Sequence, residues 1–184
     1  MRNFYFGLFF TLVSFLSIPV IAQEEVEEGI EMEEGKHSLA FILGHAKIGQ
    51  GRNSEGEKQF TVVPSFALDY NYWISGKFAL GLHTDFLNEN FFIESESEGT
   101  LIERERPIAP VLMGTLKPGE HWSFGLGFGG EFVKGGETYF VTRIAIEYGV
   151  EIRNGWEVLG SLTQDLRSNA YNVTGIGIGI AKTL

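Results

Sequence analysis

Residues 121–156 read HWSFGLGFGGEFVKGGETYFVTRIAIEYGVEIRNGW. Trp122, Phe124, Leu126, Phe128 and Phe132 fall on one parity, and Ser123, Gly125, Gly127, Gly129 and Glu131 on the other. After the polar break Lys134–Thr138, Ile144, Ile146, Tyr148, Val150 and Ile152 oppose Arg143, Ala145, Glu147, Gly149 and Glu151. Strict alternation with a period of two residues is a strand signature. Asn154-Gly155 then supplies the dipeptide that closes a two-residue hairpin. Both predicted strands set a bulky apolar face against one that is tiny or charged.

The same pattern extends outward in both directions. Eight strands are predicted over His37–Ile48, Gln59–Ile74, Lys77–Glu89, Arg106–Lys117, His121–Val133, Tyr139–Arg153, Trp156–Arg167 and Tyr171–Leu184. In the second, Phe60, Val62, Pro64, Phe66, Leu68, Tyr70 and Tyr72 oppose Thr61, Ser65, Asp69 and Asn71. In the last, Ile176, Ile178 and Ile180 oppose Gly175, Gly177, Gly179 and Ala181. The first strand is mixed, because Leu39, Phe41 and Leu43 share parity with His45 and Lys47.

The connections alternate in length. Ser75-Gly76, Pro118-Gly119-Glu120 and Asn154-Gly155 are tight turns. The intervening links are longer: GQGRNSEGEK (49–58), the acidic FFIESESEGTLIERE (91–105), and polar links at 134–138 and 168–170. Short turns therefore gather at one end of the sheet and longer loops at the other. An even strand count with this asymmetry predicts an all-β, eight-stranded antiparallel up-and-down transmembrane β-barrel. Closure is obligatory in lipid, where an open edge leaves backbone groups unpaired. Tyr70, Tyr72, Trp73, Phe78, Trp122 and Trp156 lie beside the short turns and form a candidate aromatic girdle. The competing fold is a secreted lipocalin-like barrel with the apolar face turned inward around a ligand.

Three domains are expected. Residues 1–22 carry Arg2, an apolar run from Phe4 to Ile18, and small residues at Val20 and Ala22, the pattern of a secretory signal peptide. Residues 23–36, QEEVEEGIEMEEGK, hold seven glutamates in 14 positions and read as an acidic disordered leader. Residues 37–184 are the barrel.

Signal peptide, strand pattern, aromatic placement and a strand-final C-terminus together resemble the small outer-membrane β-barrel proteins, OmpX-like in size. The likeness is closest to uncharacterised barrels of Bacteroidetes. It is carried by GHAKIGQG (44–51), PSFALDYNYWISGKFALGLHTD (64–85), ERPIAPVLMGTLKPGEHWSFGLGFGGEF (105–132) and NGWEVLGSL (154–162). The resemblance implies a place in the cell outer membrane of a Gram-negative bacterium. It implies lipid, lipopolysaccharide and the barrel-insertion machinery as partners, a monomeric state, and no assigned activity. Such barrels often end in an aromatic residue, whereas this chain ends in Leu184.

Composition narrows the function classes. Among 184 residues there are 24 glycines, 16 phenylalanines and no cysteine, so thiolate chemistry and disulfides are excluded. The net charge of −10 argues against gripping nucleic acid through its phosphates. The formal GxGxxG at Gly125–Gly130 lies inside a strand, away from any strand-to-helix junction, and reads as small lumen residues. His121-Trp122-Ser123 resembles the His-x-Ser pair of lipid A deacylase barrels, but at the wrong height and on the wrong face.

The inward charges are the remaining candidates: Glu131, Arg143, Glu147, Asp165, His83 and Asp85, with His45 joining from the first strand. Glu131, Arg143 and Asp165 fall in the upper half of three adjacent strands, and Arg143 between those two carboxylates predicts an ion-pair network plugging the lumen. A zinc site from His45, His83 and Asp85, a narrow conduit, or an envelope enzyme using lumen His and carboxylates are the alternatives. No cofactor, metal or catalytic set is expected, and the function anticipated is non-enzymatic, in envelope integrity or surface interaction through the loops.

Overall fold

A computed structural model describes residues 35–52, 58–94, 101–168 and 170–184. The expected signal peptide and nearly all of the acidic leader lie outside them. The described chain forms β1 (His37–Arg52), β2 (Lys58–Trp73), β3 (Phe78–Leu87), β4 (Phe91–Glu94), β5 (Leu101–Arg104), β6 (Ile108–Leu116), β7 (Trp122–Glu131), β8 (Tyr139–Arg153), β9 (Trp156–Arg167) and β10 (Asn172–Thr183). Eight of these close into an antiparallel barrel in the order β1-β10-β9-β8-β7-β6-β3-β2. The seam is an unbroken ladder from Ser38↔Thr183 to Ile48↔Val173.

The turns follow from their sequences. Asn154 and Gly155 both adopt positive φ, 53° and 72°, which matches the twist of the flanking strands. At Ser75-Gly76 the Ser75 hydroxyl accepts the Phe78 amide at 3.1 Å, and the Ile74 amide reaches the Phe78 carbonyl at 2.9 Å. The long-loop end differs from expectation in one respect. The acidic stretch after β3 is not simply a solvated loop, because β4 and β5 pair as a separate two-stranded ribbon from Phe91↔Arg104 to Glu94↔Leu101. The ribbon buries Phe91 and Ile93 against Ala46, Ile48, Val63, Leu87, Tyr171 and Val173, forming an apolar lid over the barrel.

The faces sort as the alternation requires. Leu112, Leu126, Ile144, Ile176 and Ile178 stand outside, Ile178 with 74% of its surface exposed. Val111, Met113, Val141 and Ala145 are buried inside. Large apolar residues thus cover the outer wall, and the interior mixes small and aliphatic side chains with charged ones. In β1, Leu39, Phe41 and Leu43 face out while Ile42, Ala46 and Ile48 face in.

Glycine sets how tightly the seam closes. Gly44 pairs with Gly177, and a Cβ at Gly44 would collide with the Ile176 carbonyl and the Gly177 Cα. Those atoms are backbone and cannot swing aside. Gly44→Ala is expected to cost about 1–3 kcal/mol by overpacking. A smaller heat-modifiable, folded band in gel electrophoresis after refolding would register it, and an unchanged band would show that the seam relaxes.

Candidate functional site: the charged lumen

The site is a file of charged groups running down the barrel interior. It starts from cross-strand pairing. Arg143 on β8 lies opposite Asp165 on β9, so both side chains enter the lumen at one level. Arg143 Nε donates to Asp165 Oδ1 at 2.7 Å, and one terminal nitrogen donates to Oδ2 at 2.7 Å. The same guanidinium crosses the lumen to β3, donating to Asp85 Oδ1 at 3.1 Å and Oδ2 at 2.7 Å. One planar cation thus clasps two carboxylates, each through two bonds, which a fork of five donors permits and an ammonium does not.

Towards the long-loop end the file continues. Arg167 lies 3.5 Å from Asp165 Oδ2 and donates to Glu131 through Nε. Glu131 is fully buried and also receives Arg104, whose Nε is 3.1 Å and whose terminal nitrogen is 2.5 Å from Oε1. Arg104 belongs to β5, so the ribbon is pinned to the barrel wall; it donates onward to the Glu137 carbonyl at 2.7 Å. The Tyr171 hydroxyl completes the knot at 2.5 Å from Glu131 Oε1. The guanidinium of Arg104 also packs over Tyr139, 4.4 Å from the ring centre. The order is Asp85, Arg143, Asp165, Arg167, Glu131, Arg104, so each charge neighbours opposite ones and the set is neutral. Buried ions survive only when paired and hydrogen-bonded in this manner.

Below the clasp the charges are sparser. His83 lies opposite Asp69 across the β2–β3 ladder, with Nδ1 3.4 Å from Asp69 Oδ2 and Nε2 3.0 Å from Asn71 Oδ1. Glu147 accepts the Ser161 hydroxyl at 3.4 Å. At the short-turn mouth Lys117 pairs with Glu157 at 3.0 Å.

Six of the seven expected lumen residues therefore sit inside: His83, Asp85, Glu131, Arg143, Glu147 and Asp165. His45 is a correction. It is exposed on the outer wall, because it keeps the parity of Leu39, Phe41 and Leu43, and a zinc triad with His83 and Asp85 cannot form. Among the described residues no group of three or more His, Cys, Asp or Glu side chains converges on one point. The partners of Arg143 also differ from the expected pair: Asp85 takes the place of Glu131, which belongs to Arg104 and Arg167. Trp73 is a second correction. Tyr70, Tyr72, Phe78, Trp122 and Trp156 stand on the outer face, but Trp73 is buried inside with its indole N–H 3.2 Å from Ser38 Oγ. Its odd position in β2 puts it with Asp69 and Asn71.

Sequence reasoning missed Arg104, Arg167, Asp69 and Tyr171 as members of the network. Parity on β9 places Arg167 with Asp165 and was available as a signal; nothing periodic announced Arg104. His121 is half-exposed at the short-turn rim, with Nδ1 3.0 Å from the Gly149 carbonyl and Nε2 3.9 Å from Glu120.

No protein-family model matches the sequence, and no curated protein matches it significantly. Solved structures do match in fold. Ail of Yersinia pestis, crystallised with the heparin analogue sucrose octasulfate, superposes with a TM-score of 0.52 at 13% identity, over 82% of this chain and 99% of that one. Neisserial surface protein A gives 0.52 at 9% identity, over 81% and 99%. The outer membrane protein OprG of Pseudomonas aeruginosa gives 0.51 at 11%, over 83% and 98%. At such identities the likeness is one of fold: the chain has the eight-stranded architecture of small outer-membrane barrels.

Proposed function

We propose that this protein is a non-enzymatic resident of the Gram-negative outer membrane, monomeric and closed, acting in envelope integrity or surface interaction through its long-loop end. In this reading residues 1–22 direct export, the short turns and the acidic leader of residues 23–36 face the periplasm, and the ribbon-bearing loops face outward. Kinship with Bacteroidetes barrels rests on the resemblance of residues 44–51, 64–85, 105–132 and 154–162. Exposed Glu103 on the ribbon and Glu105 just after it favour basic or cation-bridged partners at that end, lipopolysaccharide among them.

The observation that carries the reading is the inversion of burial. Leu, Ile, Val and Phe cover the outside of a closed barrel, and the inside carries guanidinium–carboxylate pairs among its apolar side chains. A lipocalin-like ligand barrel requires the opposite arrangement. The lid and the charged file support a sealed lumen over a conduit, and a trace at baseline in planar bilayers is the result this reading requires.

Facing is tested at Ile178, midway along β10 on the outer wall. Ile178→Arg is expected to lower the unfolding free energy in phospholipid vesicles by about 2–4 kcal/mol, the cost of a cation at the bilayer midplane. The same change in a water-exposed wall costs almost nothing. A variant as stable as the parent, or a parent that stays monodisperse in buffer without detergent, removes the membrane assignment.

A further inference from the structure

Beneath the Arg143 clasp the lumen holds two cavities of about 40 Å³ each, both walled by Asp69 and Glu147. The upper one reaches Asp85, Arg143 and Ser161, and the lower one Thr115, Lys117 and Glu157. A wider cavity of about 210 Å³ at the short-turn mouth shares Lys117, Glu157 and Thr183 with the lower one. The approach is therefore from the short-turn end, since the lid and the Glu131 knot close the other. Each inner cavity exceeds the roughly 15 Å³ that admits a single water, so it has room for a partly hydrated small ion.

With every carboxyl counted as ionised, charge does not balance in these walls. Four carboxylates, Asp69, Asp85, Glu147 and Glu157, face two permanent cations, Arg143 and Lys117. Arg143 is engaged by Asp85 and Asp165, and Lys117 by Glu157. Asp69 and Glu147 are left, and even a protonated His83 beside Asp69 compensates only one of them. Asp69 is 5% exposed, and its Oδ1 has no hydrogen-bond partner. Thr115 Oγ1, in the wall of the lower cavity, is likewise buried without one. A water satisfies a lone pair but leaves the charge uncompensated, and a buried carboxylate without a counter-charge is unfavourable.

We infer that the lumen binds one small monovalent cation between Asp69 and Glu147, admitted from the short-turn mouth. The atoms available to it are carboxylate and hydroxyl oxygens, the donors of a hard ion, and two carboxylates fall short of a divalent shell, since among the described residues no three His, Cys, Asp or Glu side chains converge. This site is independent of any role at the loop end.

The full-length barrel in detergent tests the inference by thermal unfolding, followed by tryptophan fluorescence. The midpoint is expected to be about 3 °C or more higher in sodium chloride than in choline chloride of equal ionic strength. The difference should vanish in the double variant Asp69→Asn/Glu147→Gln. Equal midpoints in the two salts overturn the inference, as does a sodium effect that persists in the variant. A midpoint raised by acid and indifferent to sodium assigns the missing charge to a proton, and stabilisation by calcium alone assigns it to a divalent ion; either result overturns it too. Should the double variant fail to fold, crystals of the unmodified protein grown in sodium chloride decide: density between Asp69 and Glu147 with oxygens at sodium–oxygen distances supports the site, and none there refutes it.

Discussion

Glu131→Ala is expected to be the most damaging single change in the barrel, costing about 3–5 kcal/mol or more of unfolding free energy. Three groups converge on that carboxylate: Arg104, Arg167 and the Tyr171 hydroxyl. Its removal leaves two guanidiniums buried without their shared partner, and Arg104 is the residue that ties the ribbon to the wall. Two measurements follow. Urea unfolding of the vesicle-inserted protein should shift to lower denaturant, and limited proteolysis should cut residues 88–107 much faster than in the parent. Loss of stability with unchanged ribbon cleavage would mean that the lid is held by Phe91 and Ile93 alone. Glu131→Gln keeps the shape and removes the charge, so its effect should approach that of alanine.

Arg143→Met is the second large effect, again about 3–5 kcal/mol, because it strands Asp85 and leaves Asp165 only its longer contact with Arg167. Methionine fills much of the same volume, so the loss reports charge more than cavity. Arg143→Lys should recover only part of the loss, since one ammonium cannot hold two carboxylates through paired bonds. The decisive variant is the double change Arg143→Met/Asp85→Asn, which removes one opposite pair and leaves Asp165 with Arg167, so the file stays neutral. It should regain most of the lost stability, as neutral replacements of buried ion networks commonly do. Urea titration in vesicles reads all three, and a double variant no better than Arg143→Met would show that the clasp acts through shape.

The barrel itself was legible because alternation and turn chemistry are local. Asn154-Gly155 dictates its own dihedrals, and Phe124–Phe128 sort their faces without help from distant residues. What escaped was decided by partners remote in sequence. Arg104 enters the lumen only because the ribbon folds back over the barrel, and its partner Glu131 is 27 residues away. Asp85 is the counter-ion of Arg143 across the lumen, 58 residues distant; pairing Arg143 with Glu131 instead followed strand adjacency and missed the reach of a long side chain. His45 and Trp73 failed for a simpler reason. Residue type was allowed to outweigh parity, placing a titratable ring inside and an indole outside. In both cases position in the strand decided the face, and the side chain adapted: His45 lies among greasy neighbours, and Trp73 found a hydroxyl for its N–H.

The seam has a consequence for how the chain can be wired. The Leu184 amide donates to the His37 carbonyl at 2.7 Å, so the two extremities of the barrel domain meet beside the tight turns. The cylinder has no privileged starting strand. A bridge of a few residues between those extremities, with a new opening cut at Ser75-Gly76, would leave every rung of the closed ladder in place, and beginning and end would become a matter of synthesis order, not of architecture.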